Sequence, residues 1–177
     1  MTDPEQAYRL CVVCAGNICR SPMAEAVIRH RLEQAGLGEH ILVESAGTGG
    51  WHVGEPADQR AVDVLSEHGY DGSAHRARQI RSDDFDQVDL VLALDRDNLA
   101  DLHRIAPDDA ARAKIQMLRS YDLEALDLGE LDVPDPFFGG PAEFEQVLQL
   151  VEQAADGLVS TIRAELSADT GGELGQP

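Results

Sequence analysis

The sequence is short of basic residues, of aromatic residues and of long apolar runs. Among its 177 residues, 33 are Asp or Glu and only 14 are Lys or Arg, so the formal net charge is −19. So acidic a chain is not typical of proteins that bind nucleic acid or anionic lipid, and we expect neither partner. No apolar run approaches the roughly 18 residues of a membrane span, and no secretory signal segment is recognisable.

Cysteine is also scarce, and its three copies, Cys11, Cys14 and Cys19, lie within nine positions. An odd number of cysteines in one short stretch does not provide the disulfide framework of a small secreted protein. We therefore expect reduced thiols and a cytoplasmic location. All but one of the basic residues are Arg, a bias that favours a GC-rich bacterial source.

What the sequence does contain is an alternation of short apolar segments and helical patterns. Buried strands are predicted at residues 8–14, 41–44, 88–94 and 115–118, with helices between them and a last helix over residues 141–166. Such alternation predicts an α/β fold in one domain, with a four-stranded parallel sheet and helices on both faces. Residues 8–166 form this domain, while residues 1–7 are expected to be loose and residues 167–177 a disordered tail.

The turn after the first strand has the composition of an anion site. Ser21 and Pro22 are typical of a helix start, with Ser21 as the N-cap and Glu25 as an acid in the first turn. Backbone N–H groups of a strand-to-helix turn point into one concavity, and the helix N-terminus adds partial positive charge. The first strand is therefore expected to lead into a phosphate-binding loop at the carboxyl edge of the sheet.

The side chains of this loop point to thiol chemistry on a phosphate. Gly16 and Asn17 permit the backbone turn, and the planar fork of Arg20 matches two phosphate oxygens. The same positive field favours the thiolate form of Cys14, which would meet the phosphate and form a phosphocysteine. The alternative is a buried structural cysteine beside an ordinary turn. Cys11 and Cys14 also form a C-x-x-C pair, but no second ligand pair supports a zinc site.

The segment Cys14-Ala15-Gly16-Asn17-Ile18-Cys19-Arg20-Ser21-Pro22 closely resembles the signature loop of low-molecular-weight protein tyrosine phosphatases. Further matches follow in order over roughly residues 8–165: Ser45-Ala46-Gly47, Trp51, His75-Arg76-Ala77-Arg78-Gln79, Leu94-Asp95 with Asn98-Leu99, and Asp135-Pro136. The resemblance implies an enzyme that hydrolyses phosphotyrosine and uses no metal or organic cofactor. It implies a phosphotyrosine protein as substrate, a bacterial tyrosine kinase as a candidate partner, and inhibition by phosphate or a similar oxyanion.

The resemblance also assigns roles to individual residues. Cys14 is the nucleophile, Arg20 binds the phosphate and stabilises the transition state, and Asp135 is the general acid and then the base. A carboxyl on a Pro-framed loop suits that role, since expelling a phenolate needs a proton donor held at a fixed distance, although Asp-Pro is also a common turn. The implied phosphate-binding loop comprises Ala15, Gly16, Asn17, Ile18, Cys19 and Ser21; Ser45 and His75 support it; and Trp51, Phe137 and Phe138 line the substrate cleft. Cys19 is implied as a redox partner that forms a reversible disulfide with Cys14.

Departures from the family pattern keep some alternatives open. The family usually has Tyr where this chain has Phe137 and Phe138, so the apolar walls remain while the hydroxyls are lost. Ile18 favours the tyrosine phosphatase branch over a protein-arginine phosphatase branch that has Thr there. An arsenate reductase on the same loop would need later cysteines, and none follows Cys19. A catalytically silent phosphate-binding protein is the third possibility.

The net charge poses a separate question about acidic substrates. Arg20, Arg76, Arg78 and Arg81 are predicted to give the site a positive rim, and the alternative is that these arginines pair with surface carboxylates.

Overall fold

Four parallel strands form the central sheet in the computed structural model, which describes residues 7–171 and the side chains of residues 7–169. The strands are β1 (Tyr8–Cys14), β2 (Ile41–Gly47), β3 (Leu90–Ala93) and β4 (Ile115–Met117), and they lie in the order β2-β1-β3-β4. Strand β1 is central and pairs on both sides, so that Val12 lies between Ser45 and Leu92. The predicted four-stranded parallel sheet is confirmed.

Helices cover both faces of the sheet, as predicted. They are α1 (Arg20–Gln34), α2 (Gln59–Glu67), α3 (Arg96–Ile105), α4 (Asp109–Arg112), α5 (Leu123–Leu128) and α6 (Pro141–Gly171). Successive side chains of β1 point to opposite faces, which divides the core in two. Leu10 and Val12 pack with residues of α1, α2 and α6, whereas Cys11 and Val13 pack with residues of α3 and α4.

The predicted start of α1 is wrong by two residues. The helix begins at Arg20, its N-cap residue Cys19 makes no side-chain cap, and Ser21 lies inside the first turn. The hydroxyl of Ser21 is within 2.9 Å of the Cys14 thiol instead of capping the helix. Pro22 is tolerated here because backbone N–H groups of a first helical turn have no intrahelical acceptor.

Other boundaries also differ from the sequence prediction: β3 covers Leu90–Ala93 and not residues 88–94, and β4 ends at Met117 and not at residue 118. Strand β2 continues three residues beyond residue 44, because Ser45 and Ala46 pair with Val12 and Val13 of β1. Helix α6 continues to Gly171, so residues 167–171 belong to a helix and not to the predicted tail. The apolar pattern fades before the helix ends, since its last turns are exposed. Residues 1–6 and 172–177 lie outside the described residues.

No helix within residues 7–171 is long and apolar enough to cross a membrane.

Candidate active site

The loop between β1 and α1 forms the floor of a cleft of about 150 Å³. Cys14 ends the strand and Arg20 begins the helix, and each residue is 3% exposed. Asn17 has a left-handed φ of 57°, which Asn tolerates better than most residues, and it turns the chain between them. The cleft is lined by Cys14, Ala15, Gly16, Ile18, Cys19, Arg20, Trp51, His52, Asp135 and Phe137.

Buried hydrogen bonds hold this loop from below. The Nδ2 group of Asn17 donates to the Ser21 Oγ at 2.7 Å and to the Ser45 Oγ at 3.0 Å. The Ser21 hydroxyl, occupied as an acceptor by Asn17, can direct its own proton to the Cys14 Sγ at 2.9 Å. His75 completes the support, because its Nε2–H donates to the Asn17 carbonyl at 2.7 Å. The structure thus brings Ser45 and His75 to the positions where the sequence predicted loop support.

Glu25 belongs to the same network, although the sequence predicted only a first-turn acid. Its carboxylate accepts from the Ser45 Oγ at 2.5 Å, lies 3.7 Å from the His75 Nδ1 and pairs with Arg29. Burial alone would raise the pKa of Glu25, but the nearby His75 ring, the hydrogen bond from Ser45 and the charge of Arg29 outweigh it and lower the pKa. The apolar neighbours of Glu25 on α1 are the sequence signal that could have placed it on a buried face.

We expect Glu25→Gln to lower the free energy of unfolding at pH 7 by about 1–3 kcal/mol, because it removes a charged acceptor from a buried network. The lowered pKa means that this stabilisation is complete above the unfolded-state pKa and is lost as the pH falls through the folded-state value. The difference from wild type should therefore shrink below about pH 4. Urea unfolding across this range measures it, with exposed Glu33→Gln as the control. A difference that stays constant with pH would contradict the assignment.

Arg20 is fixed by groups on two other segments of the chain. Its NH1 group donates to the Asp95 Oδ2 at 2.5 Å and to the Val133 carbonyl at 3.0 Å, while NH2 lies 3.8 Å from the Asp135 Oδ2. Burial opposes its charge, but the negative charge of Cys14 in its thiolate form and the Asp95 carboxylate outweigh burial and raise the Arg20 pKa. Asp95 therefore has two functions, since its Oδ1 also caps α3 through the Asn98 N–H. From the sequence, Asp95 was identified only as part of the Leu94-Asp95 match to the family, with no contact to Arg20 predicted.

Asp135 stands at the rim, on the loop between α5 and α6. Its carboxyl is half-exposed, lines the cleft, and accepts from the Phe137 N–H through Oδ1 at 3.1 Å. The structure therefore brings Cys14, Arg20 and Asp135 to one cavity, although more than a hundred residues separate the first two from the third.

Aromatic side chains line part of the entrance. Trp51 and Phe137 line the cleft. Phe138 is 98% exposed, packs edge-to-face on Phe137 with the ring centroids 5.0 Å apart, and is not among the lining residues. His52 also lines the cleft, a position that the sequence did not predict. Its ring is close to Gly16, and its Nδ1 lies 2.7 Å from the Glu55 Oε2.

The predicted positive rim is only partly present. Arg78 pairs with Glu44 and Asp84, which fits the alternative of surface ion pairs. Among the three arginines at 76, 78 and 81, none lines the cleft. Arg20 is therefore the cation that the cavity offers to a bound anion within the described part of the chain.

The three cysteines are free thiols. Cys11 is buried outside the cleft, whereas Cys14 and Cys19 both line it. Burial, followed by the charges of Asp58, Cys14 and Asp135, raises the pKa of Cys19 to about 12.

A thiol and a guanidinium beneath a small cleft, with a carboxyl above them, form a site suited to phosphoryl transfer to sulfur. Residues 9–168 match the family model described as low molecular weight phosphotyrosine protein phosphatase. The chain therefore belongs to this family, which confirms the family and the class of cysteine-dependent phosphatase predicted from the sequence.

Relatives and solved structures agree with this assignment. A low molecular weight protein-tyrosine-phosphatase of Streptomyces coelicolor is 54% identical over 159 residues, which are 90% of this chain and 96% of the relative. The protein tyrosine phosphatase of Entamoeba histolytica, solved with Hepes in its active site, has a TM-score of 0.84 and 33% identity, over 90% of this chain and 99% of that one. Vibrio vulnificus Wzb, solved with benzylphosphonate, has a TM-score of 0.76 and 30% identity, over 87% and 98%.

Proposed function

We propose that this protein hydrolyses phosphotyrosine in proteins through a phosphocysteine intermediate. The observation that carries the proposal is the convergence of Cys14, Arg20 and Asp135 on one cleft. Family membership supports the reaction class, and the geometry supports the role of each side chain.

The first step transfers the phosphoryl group to the enzyme. The Cys14 thiolate attacks phosphorus, an S–P bond forms and the P–O bond to the phenol breaks, while the carboxylic acid of Asp135 gives its proton to the leaving oxygen. Arg20 neutralises charge on the equatorial oxygens. Backbone N–H groups of residues 15–19 can add to this, because none of them donates to an acceptor in the described part of the chain.

The second step releases phosphate. The Asp135 carboxylate takes a proton from water, the water oxygen attacks phosphorus and the S–P bond breaks, which regenerates the Cys14 thiolate. The Ser21 hydroxyl, 2.9 Å from the Cys14 Sγ, stabilises that leaving thiolate by donating a hydrogen bond.

The cleft favours an aromatic phosphate ester. Trp51 and Phe137 provide apolar walls above Cys14, so a phenyl ring can pack between them while its phosphate reaches the loop. The phosphoserine side chain is shorter than that of phosphotyrosine. To place its phosphate at the same depth, the polar peptide backbone would have to approach these apolar walls. We therefore assign phosphotyrosine peptides as the substrate class.

Peptides carrying phosphotyrosine, phosphoarginine or phosphoserine in one sequence context test this specificity. We expect the highest kcat/KM for phosphotyrosine and competitive inhibition by phosphate. Trp51→Ala should lower the ratio of kcat/KM for phosphotyrosine to kcat/KM for phosphoserine by a larger factor than it lowers the affinity for free phosphate. Equal turnover of phosphoserine, or arsenate reduction coupled to thioredoxin without phosphatase activity, would contradict the proposal.

We also propose that Cys19 protects the nucleophile from oxidation. Peroxide would convert the Cys14 thiolate to a sulfenic acid, and the Cys19 thiol would displace water from it to form a disulfide. Both side chains line the same cleft, which supports this step. The raised Cys19 pKa, about 12, leaves that residue a thiol near neutral pH, so its capture of the sulfenic acid should accelerate as the pH rises.

We expect peroxide-inactivated wild type to regain activity with dithiothreitol, and Cys19→Ser to regain far less, because its sulfenic acid proceeds to irreversible oxides. Activity measured before and after reductant gives the recovered fraction. Cys11→Ser is the matched control and should recover like wild type, since Cys11 lies outside the cleft. Equal recovery of the Cys19 and Cys11 variants would exclude the protective role.

We propose a phosphotyrosine protein of a bacterial cytoplasm as the physiological substrate, with a tyrosine kinase as the enzyme that produces it. An odd number of cysteines, all within nine positions, supports a reducing compartment. Dephosphorylation of a purified tyrosine kinase, followed by mass spectrometry, tests the kinase itself as a substrate.

A further inference from the structure

The loop that carries Asp135 is held by an arginine at each end. We call residues 133–140 the acid loop. At its start, the Val133 N–H donates to the Leu94 carbonyl at 2.7 Å, and the Val133 carbonyl accepts from Arg20. At its end, the Gly139 carbonyl accepts from the NH1 of Arg60 at 2.9 Å.

The guanidinium of Arg60 is oriented for this contact by an ion pair with Asp58 and by two aromatic rings. It forks onto Asp58, with Nε to Oδ1 at 2.9 Å and NH2 to Oδ2 at 2.8 Å, which leaves NH1 for Gly139. Its charged carbon also lies over two aromatic rings, 4.7 Å from the Phe144 centroid and 5.8 Å from the Phe137 centroid. A planar fork with these contacts has less freedom than a solvated surface arginine.

The ion pair of Arg60 and Asp58 is also bonded to the phosphate-binding loop. The N–H of Asp58 donates to the Ile18 carbonyl at 2.8 Å, so Asp58 is bonded directly to the phosphate-binding loop. Hydrogen bonds from Arg60 are the largest influence on the Asp58 carboxyl and lower its pKa, which keeps the pair ionised. A continuous path therefore runs from Ile18 through Asp58 and Arg60 to the acid loop.

Asp135 needs such external support. Its own contacts are the short link to the Phe137 N–H and a 3.8 Å approach to Arg20, and its carboxyl is half-exposed. Its height above Cys14 consequently depends on where the acid loop lies. Arg60 contacts both the carbonyl at the end of this loop and Phe137, the ring that follows Asp135 by two residues.

We propose that Arg60, paired with Asp58, is a positioning residue that sets the placement of Asp135 and Phe137 above the phosphate-binding loop. The inference rests on the proposed role of Asp135 as general acid. The alternative is a purely structural ion pair at the start of α2. Such a pair would affect stability and leave the proton-transfer step unchanged.

The discriminating measurement is the dependence of kcat/KM on the acidity of the leaving phenol. Misplacing the acid by about 1 Å should lower turnover of esters with weakly acidic phenols on the order of 10²-fold in Arg60→Ala. Esters with strongly acidic phenols, which leave without protonation, should lose much less. Gln59→Ala is the matched control, because Gln59 is an adjacent residue of α2 whose side chain bonds Asp63 and not the acid loop. It should behave like wild type with every ester.

Two further variants keep the inference testable if Arg60→Ala does not fold. Arg60→Lys keeps the positive charge and loses the planar fork. Its loss of kcat/KM should therefore depend on the acidity of the phenol in the same way and be smaller than in Arg60→Ala. Arg60→Lys combined with Asp135→Asn should cost little beyond Asp135→Asn, because both changes act on one proton transfer. A uniform loss across all phenols, or fully multiplicative losses in the double variant, would overturn the inference. If Asp135→Asn alone shows no leaving-group dependence, the proposed acid itself fails, whatever Arg60 does.

Discussion

Cys14→Ser should show no measurable hydrolysis of para-nitrophenyl phosphate. The reaction needs an anionic nucleophile at neutral pH. A serine hydroxyl stays protonated there, whereas a thiol ionises readily and is intrinsically more nucleophilic. The hydroxyl is also smaller than the thiol, so the variant should fold and bind phosphate. Initial rates of nitrophenol release, with phosphate affinity from calorimetry, measure both properties.

Cys11→Ser provides the matched control for this prediction. Cys11 lies three residues earlier on the same strand, is buried in the opposite core, and receives a weak 3.7 Å contact from Arg78. Burial raises the pKa of the Cys11 thiol to about 12, so it is not a nucleophile near neutral pH. We expect Cys11→Ser to stay active with reduced stability. Full activity of Cys14→Ser would refute the mechanism.

Asp135→Asn should lower kcat with a phosphotyrosine peptide by about 10²–10⁴-fold, the usual contribution of general acid–base catalysis. The amide keeps the shape of the side chain and can still accept from the Phe137 N–H, so the loop should keep its place. It has no acidic proton for the leaving phenolate, and the loss should therefore be greatest for weakly acidic phenols. Steady-state kinetics with a series of aryl phosphates measures this dependence.

The control for Asp135→Asn is an equal change of charge elsewhere on the acidic surface. Asp127 is exposed on α5, upstream of the acid loop, and Asp127→Asn removes the same negative charge. We expect near wild-type kinetics from it. Equal losses in the two variants would mean that net charge, and not proton transfer, governs the rate.

The parts of the site that the sequence revealed are those encoded by contiguous residues. The nine residues from Cys14 to Pro22 combine a strand end, a turn and a helix start, each of which has a local sequence signature. Asp135 was found by resemblance, because its Asp-Pro pair alone is also a common turn. The structure adds the spatial fact that this residue and Cys14 line one cavity.

The parts that the sequence did not reveal depend on contacts between distant segments. Glu25 bonds Ser45 because β2 lies beside β1, and Asp95 bonds Arg20 because β3 lies on the other side. Strand order of this kind is not visible in hydrophobic periodicity. Arg60 likewise has the sequence pattern of an ordinary exposed helix residue, and only its contacts with Gly139 and Phe137 distinguish it.

Local competition explains the wrong start of α1. Ser21 is a residue type typical of an N-cap, yet its hydroxyl is engaged by Asn17 and Cys14, so side-chain hydrogen bonds within the phosphate-binding loop take the place of the helix cap. The end of α6 shows the opposite case. Its apolar pattern fades near Leu166, but the helix continues for five more residues, because backbone hydrogen bonds can extend a formed helix without burial.

The most direct test of the account is to identify the atom that carries phosphate during turnover. Wild type mixed with a radiolabelled aryl phosphate and quenched in acid within the first turnover should yield labelled protein, and peptide mapping should place the label on Cys14. Asp135→Asn should form this species more slowly, and Cys14→Ser should not form it. Label on another residue, or steady turnover with no labelled protein at any time, would contradict a phosphocysteine mechanism.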